Sequence, residues 1–104
     1  MQEALVVKFE WDEAKNLVNI KKHKLDFDDA KEIFSVPYLQ WYDHNHSDYE
    51  DRFIAIGLLN GTLVVVAAFT ERDPDIIRLI SARKATKNEE KNYWDKLGRP
   101  ERDE

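Results

Sequence analysis

Cysteine is absent from the 104 residues. That excludes disulfides and thiolate metal sites, and it suits a reducing compartment. Glycine and proline are scarce, at three each, and no Pro/Gly-rich linker, repeat or low-complexity segment is visible. Long apolar runs are missing too. The longest covers residues 63–69, far short of the roughly 20 residues that span a bilayer. The opening residues lack a basic segment followed by a long apolar one, so no signal peptide is expected. The reading is a cytoplasmic chain with no membrane contact. Finally, there is no excess of positive charge. Sixteen Lys and Arg stand against 21 Asp and Glu, for a net charge of −5, which argues against a generic nucleic-acid coat.

What is present supports a real core. The chain is 42% hydrophobic and 12% aromatic, enough for one small domain and too short for two. That domain is expected at 1–98, with a frayed tail at 99–104. The negative charge is unevenly placed. Asp43, Asp48, Glu50 and Asp51 crowd one loop, and Glu101, Asp103 and Glu104 fall near the end, so the net charge does not exclude a local basic site.

Residues 6–11 read as a first strand. Asp12 is a natural N-cap for a helix over Glu13–His23. Its apolar stripe of Ala14, Leu17 and Val18 is expected to pack, leaving Lys15, Asn19 and Lys22 or His23 on an adjoining open side. Asp26 caps a second helix that buries Phe27, Ala30, Ile33 and Phe34, and Pro37 ends it. A strand at 38–43 precedes a polar loop. Strands at 52–59 and 62–70 flank Asn60-Gly61, a strong hairpin signal because a type I′ turn needs positive φ at both central positions. A last strand at 76–82 leads to Thr86, which with Glu89 forms a capping box for a final helix stopped at Gly98. The order β-α-α-β-β-β-β-α predicts an α+β fold. Two N-terminal helices, an antiparallel sheet of four to five strands and a C-terminal helix make it up.

Register sharpens this. Pairing Leu59 with Thr62 sets Arg52 opposite Phe69, and pairing Glu71 with Ile76 sets Phe69 opposite Arg78. Two cations would then flank an aromatic ring on one face, a geometry suited to a phosphate beside a stacked base.

The ordered set of blocks resembles a known family. The blocks are F-E-W-D-x-x-K at 9–15, Asn19, Lys22-His23, a loose His46-Ser47 element, E-D-R-F at 50–53 and Gly57. They continue with V-V-V-x-x-x-T-E-R at 64–72, R-L-I-S-A-R-K-A-T at 78–86, then Glu89 and Tyr93. Together they are similar to the BrnT toxins of type II toxin–antitoxin pairs. The resemblance implies a RelE-like ribonuclease fold and RNA cleavage that arrests translation. It also implies neutralisation by a BrnA-like antitoxin with a ribbon-helix-helix domain, so that DNA is met only indirectly, through the antitoxin complex. Three departures stand out: Lys24 where glycine usually follows Lys-His, Phe69 where tyrosine or another aromatic is common, and a turn between Arg72 and Arg78 that is one residue longer than usual.

Metal-independent cleavage by a ribose 2′-OH needs a base, a proton donor for the leaving oxygen, and cations for the developing phosphate charge. Arg52, Arg78 and Arg83 suit the last role, since a guanidinium fork matches phosphate oxygens. The plainer alternative for each is an ion pair with a nearby acid. His23 is the candidate base or acid, because an imidazole titrates near neutrality, with Lys22 beside it. Lys15, Phe69, Glu71, Ser81 and Tyr93 are candidates for substrate contact. For Tyr93 the competing role is helix-to-sheet packing. His44 and His46 form an H-x-H pair, but two nitrogens without a completing cluster do not make a metal site, and no cofactor is expected. Two other classes stay open: a non-catalytic protein-binding module of the same fold, and a DNA-binding regulator, which would need a basic stripe.

Overall fold

The computed structural model describes residues 7–98. The tail expected at 99–104 and the first residue of the strand expected at 6–11 lie outside the described residues. Five strands form one sheet in the order β1-β5-β4-β3-β2. They are β1 (Lys8–Glu10), β2 (Tyr38–Tyr42), β3 (Phe53–Leu59), β4 (Leu63–Glu71) and β5 (Ile76–Lys84). All neighbours are antiparallel except β1, which joins the far side of β5 in parallel. The sheet is therefore mixed rather than wholly antiparallel.

Three helical segments cover it: α1 (Glu13–His23), α2 (Phe27–Ala30), which tightens into a 3₁₀ turn over Lys31–Ser35, and α3 (Lys87–Leu97). The caps follow from local chemistry. Asp12 accepts from the backbone N–H of Ala14 and Lys15, and Asp26 from Asp28. Both halves of the Thr86–Glu89 capping box are made.

The core lies on both faces. Leu25, Phe27, Ala30 and Ile33 pack with Ala55, Val65, Ala67, Phe69, Leu79 and Ala82 on one side. Tyr93 packs with Ile56, Val64 and Val66 on the other. Gly57 lets the 3₁₀ turn approach β3 closely, since a Cβ there would lie 2.8 Å from the Cβ of Ile33.

Both expected registers are off by one. At the first hairpin Asn60 (φ 52°) and Gly61 (φ 74°) do turn left-handed, and the Thr62 N–H donates to the Leu59 carbonyl. The ladder, however, resumes with Leu59 opposite Leu63, so Thr62 is an extra loop residue. At the second, Thr70 faces Arg78, and a bulge between Ala68 and Phe69 skips Ile80, so Ser81 faces Ala68. The turn itself thus holds one residue more than expected, with Glu71 opposite Ile77, and Ile80 is a second, separate surplus absorbed inside β5, as bulges allow.

The first helix is inverted relative to expectation. Asn16 and Asn19 are its buried residues, while Leu17 and Val18 are each 64% exposed. Both asparagines satisfy backbone groups that no strand reaches. Asn16 accepts from the Phe27 N–H at 2.9 Å and donates to the Asp26 carboxylate at 3.0 Å. Asn19 donates to the Leu25 and Ala82 carbonyls, both at 2.9 Å, and accepts from the Ala82 N–H at 3.1 Å. Because β1 pairs only as far as Arg78, the edge of β5 beyond it is left to α1.

Candidate functional site

Residues directly opposite in a ladder share a face, so the pairing places the site residues. On the α3 side of the sheet, one row runs through Thr70, Arg78 and Glu10. Arg52, in phase with Ile54 and Ile56 one residue before β3, extends that row beyond Thr70. The next row holds Ile54, Ala68 and Ser81, and the one after it Ile56, Val66 and Arg83. The two one-residue register errors therefore cancel. Arg52 and Arg78 do flank a single residue on one face, but it is Thr70, which is buried and whose hydroxyl donates to the Asp51 carbonyl at 2.7 Å.

Phe69 is not that residue. It lies on the opposite face, 1% exposed, with its ring against Phe53 and Phe34, because side chains alternate along β4. It has no surface to offer a base. Tyr93 is likewise 3% exposed, in the core beneath α3, and its hydroxyl donates to the Pro37 carbonyl at 3.2 Å. Glu71 pairs with Ile77 and so shares the face of Phe69, away from the arginines.

The three arginines differ in their commitments. Arg83 makes a fork onto Glu89, with Nη1–Oε1 at 2.7 Å and Nη2–Oε2 at 2.8 Å. Hydrogen bonding from Arg83, above all, holds the Glu89 carboxyl down at about 2. Arg83 also stands four ladder positions from the Arg78 row, roughly 13 Å along the strand. It anchors the start of α3 to β5 rather than joining the other two. Arg78 gives one of its five donors to Glu10, at 2.7 Å, and is half-exposed, so most of its fork stays available. Arg52 has no carboxylate partner among the described residues, and its buried Nε makes no hydrogen bond. The plainer alternative of an ion pair with an acid nearby in sequence does not hold for Arg52 or Arg78 among the described residues; Glu50, next to Arg52 but one, meets Arg72 at 3.9 Å instead. Glu10 was invisible because its partner is 68 residues away in sequence.

A groove of about 340 Å³ runs between α1 and β5 and adjoins this face. Ala14, Val18 and Ile80 supply its apolar lining; Lys15, Lys22, His23 and Ser81 supply the polar groups. Four of the sequence-derived candidates thus meet in one place. Ser81 is the link, since it lines the groove and sits one row from Arg78. His23, half-buried at the end of α1, is followed by Lys24 in the left-handed region (φ 61°). The conformation that a glycine would supply is thus kept despite the lysine. His44 and His46 diverge. The His44 ring packs edge-on against Tyr42, and His46 meets the Asp43 carboxylate.

Residues 11–89 match the family model described as the ribonuclease toxin BrnT of type II toxin–antitoxin systems. Among solved structures, a 1.1 Å crystal structure of the Brucella abortus ribonuclease toxin BrnT is 31% identical. The match covers 79% of this chain and 100% of that one, with a TM-score of 0.60. A comparison with curated proteins gives no match. With most of the chain matched and the fold shared, this protein belongs to the BrnT family of endoribonuclease toxins of type II toxin–antitoxin systems.

Proposed function

We propose that RNA is cleaved without a metal at the junction of the Arg52–Thr70–Arg78 row and the α1–β5 groove. A ribose 2′-OH attacks the adjacent phosphorus while the bond to the 5′-oxygen breaks, leaving a cyclic phosphate and a free 5′-hydroxyl. Arg52 and Arg78 grip the phosphate oxygens as negative charge builds on them. His23 and Lys22 move the two protons, one from the nucleophile and one to the leaving oxygen. Lys15 and Ser81 hold the backbone on either side of the groove. The antitoxin that the family implies is of the ribbon-helix-helix kind, and DNA is contacted through it. The single observation that carries this reading is the shared face of Arg52 and Arg78, with Ser81 joining it to the groove of Lys15, Lys22 and His23.

The test is cleavage of a labelled RNA by the purified chain in excess EDTA, with growth arrest on expression read alongside. Arg78→Ala and His23→Ala are expected to cut at least about 100-fold more slowly, the usual loss for a group that stabilises or moves transition-state charge or protons. Full activity in both folded variants would place the site elsewhere, and loss of wild-type cleavage in EDTA would end the metal-free mechanism.

A further inference from the structure

The outer face of α1 has no use inside this fold. Ala14, Leu17 and Val18 stand at i, i+3 and i+4, the spacing of a helix-packing seam, yet they point to solvent, with Leu17 and Val18 each 64% exposed. The side that packs is polar, through Asn16 and Asn19. Exposed apolar residues scattered singly need no explanation; a stripe of them on one helix marks a contact surface. The charge around it is just as uneven. Over Glu13–His23 there are three lysines against one glutamate, in a chain whose net charge is −5, and Lys24 adds another at the C-terminal end.

We infer that this stripe docks an acidic amphipathic helix of the cognate antitoxin. That helix sets its apolar side chains on Leu17 and Val18 and its carboxylates toward Lys15, Lys21 and Lys22. Both halves of the surface select a protein of this kind. Aliphatic side chains offer no platform for stacking bases, and Leu17 lies outside the groove lining, so RNA does not account for the stripe as a whole. A second copy would bring one lysine-rich helix against another, whereas a carboxylate-rich helix satisfies the field and the apolar seam together. Val18 belongs to the stripe and also lines the groove with Lys15, Lys22 and His23. A helix seated on it covers the groove mouth, so antitoxin and RNA exclude each other. That last step rests on the site proposed above; the docking does not.

The experiment titrates the full-length chain with its cognate antitoxin by calorimetry and assays the free chain on RNA. Leu17→Glu is expected to weaken antitoxin binding at least tenfold while the free variant cleaves RNA at the wild-type rate. Leu17→Met should bind within twofold of wild type. Lys21→Glu should weaken binding and flatten its salt dependence. Unchanged affinity in Leu17→Glu overturns the proposal and moves the interface elsewhere. So does a variant that keeps antitoxin affinity but loses self-association in light scattering, which would make the stripe a dimer seam. Failure of the site reading shows separately, as wild-type cleavage by Lys22→Ala and His23→Ala, and leaves the Leu17 titration to decide the docking.

Discussion

Asn19 treats Ala82 as a neighbouring strand would. Its amide gives one hydrogen bond to the Ala82 carbonyl and takes one from the Ala82 N–H, 63 positions away in sequence. The amide also donates to the Leu25 carbonyl, and all these groups are buried, so truncation leaves one donor and two acceptors without partners. Asn19→Ala should lose about 2–4 kcal/mol in urea unfolding. Asn19→Asp keeps the acceptor and should still lose most of it, because two carbonyls would then face a carboxylate. A loss within 0.5 kcal/mol for either variant would mean that water replaces the amide there at little cost.

Lys24 holds a left-handed conformation that glycine adopts freely. Lys24→Gly removes the clash of Cβ with the following carbonyl, worth about 1 kcal/mol, and forfeits some unfolded-state stiffness. The expected outcome is a net gain of about 0.5 kcal/mol, seen as a Tm higher by a few degrees. A lower Tm would show that the Lys24 Nζ contact to the Lys21 carbonyl outweighs the backbone strain.

Gly57 has the opposite sensitivity. Its missing Cβ is the space into which Ile33 packs, and the nearest atoms include the Ile33 carbonyl, which is backbone. Gly57→Ala should destabilise by about 2 kcal/mol through overpacking, with a lower denaturant midpoint and an unchanged slope.

The Arg83–Glu89 fork predicts acid sensitivity with a definite sign. The Glu89 carboxyl sits at about 2, below the 4.5 usual for glutamate. The folded state thus binds its proton less readily than the unfolded chain. The pair contributes its full stability above about 4.5 and loses it as pH falls toward about 2. Both side chains are partly exposed, so screening limits the contribution to about 1 kcal/mol. Glu89→Gln should show a flatter stability profile below about pH 4.5 and a lower plateau above it. Parallel profiles for the two proteins would rule the pair out as the source. Because Arg83 serves α3, Arg83→Ala should lose stability in step with Glu89→Gln and keep cleaving RNA when folded.

Local chemistry was legible in the sequence where a few adjacent residues decide it. The caps at Asp12 and Asp26, the Thr86–Glu89 box and the left-handed Asn60-Gly61 pair all follow from short-range hydrogen bonding and φ preferences. The helix-first α+β order follows from periodicity. What stayed hidden depends on distant partners. Residue pattern counts asparagine as outward-facing, and only the bare edge of β5 turns Asn19 inward. The parallel seat of β1, and with it the Glu10–Arg78 pair, joins segments at opposite ends of the chain. Phe69 falls on the other face because Thr62 at the first turn and one residue at the second, where Glu71 meets Ile77 instead of Ile76, each add a position that no local signal marks. In the site, Lys15, Lys22, His23 and Ser81 are each candidates by residue chemistry once the resemblance implies RNA cleavage, but their convergence needed the helix to lie along a strand edge.

The skipped residue in β5 also sets which functions this strand can carry at once. Arg78 and Arg83 are an odd number of positions apart, so in an uninterrupted strand one would look toward each layer. The irregularity at Ile80 turns the second half by one step of phase, and the cation beside Thr70 and the anchor of the last helix come to face the same way. Deleting that one residue should keep both arginines in the strand and yet pull the Arg83–Glu89 lock and the Arg78 grip onto opposite sides. The strand could then hold one of them but not both.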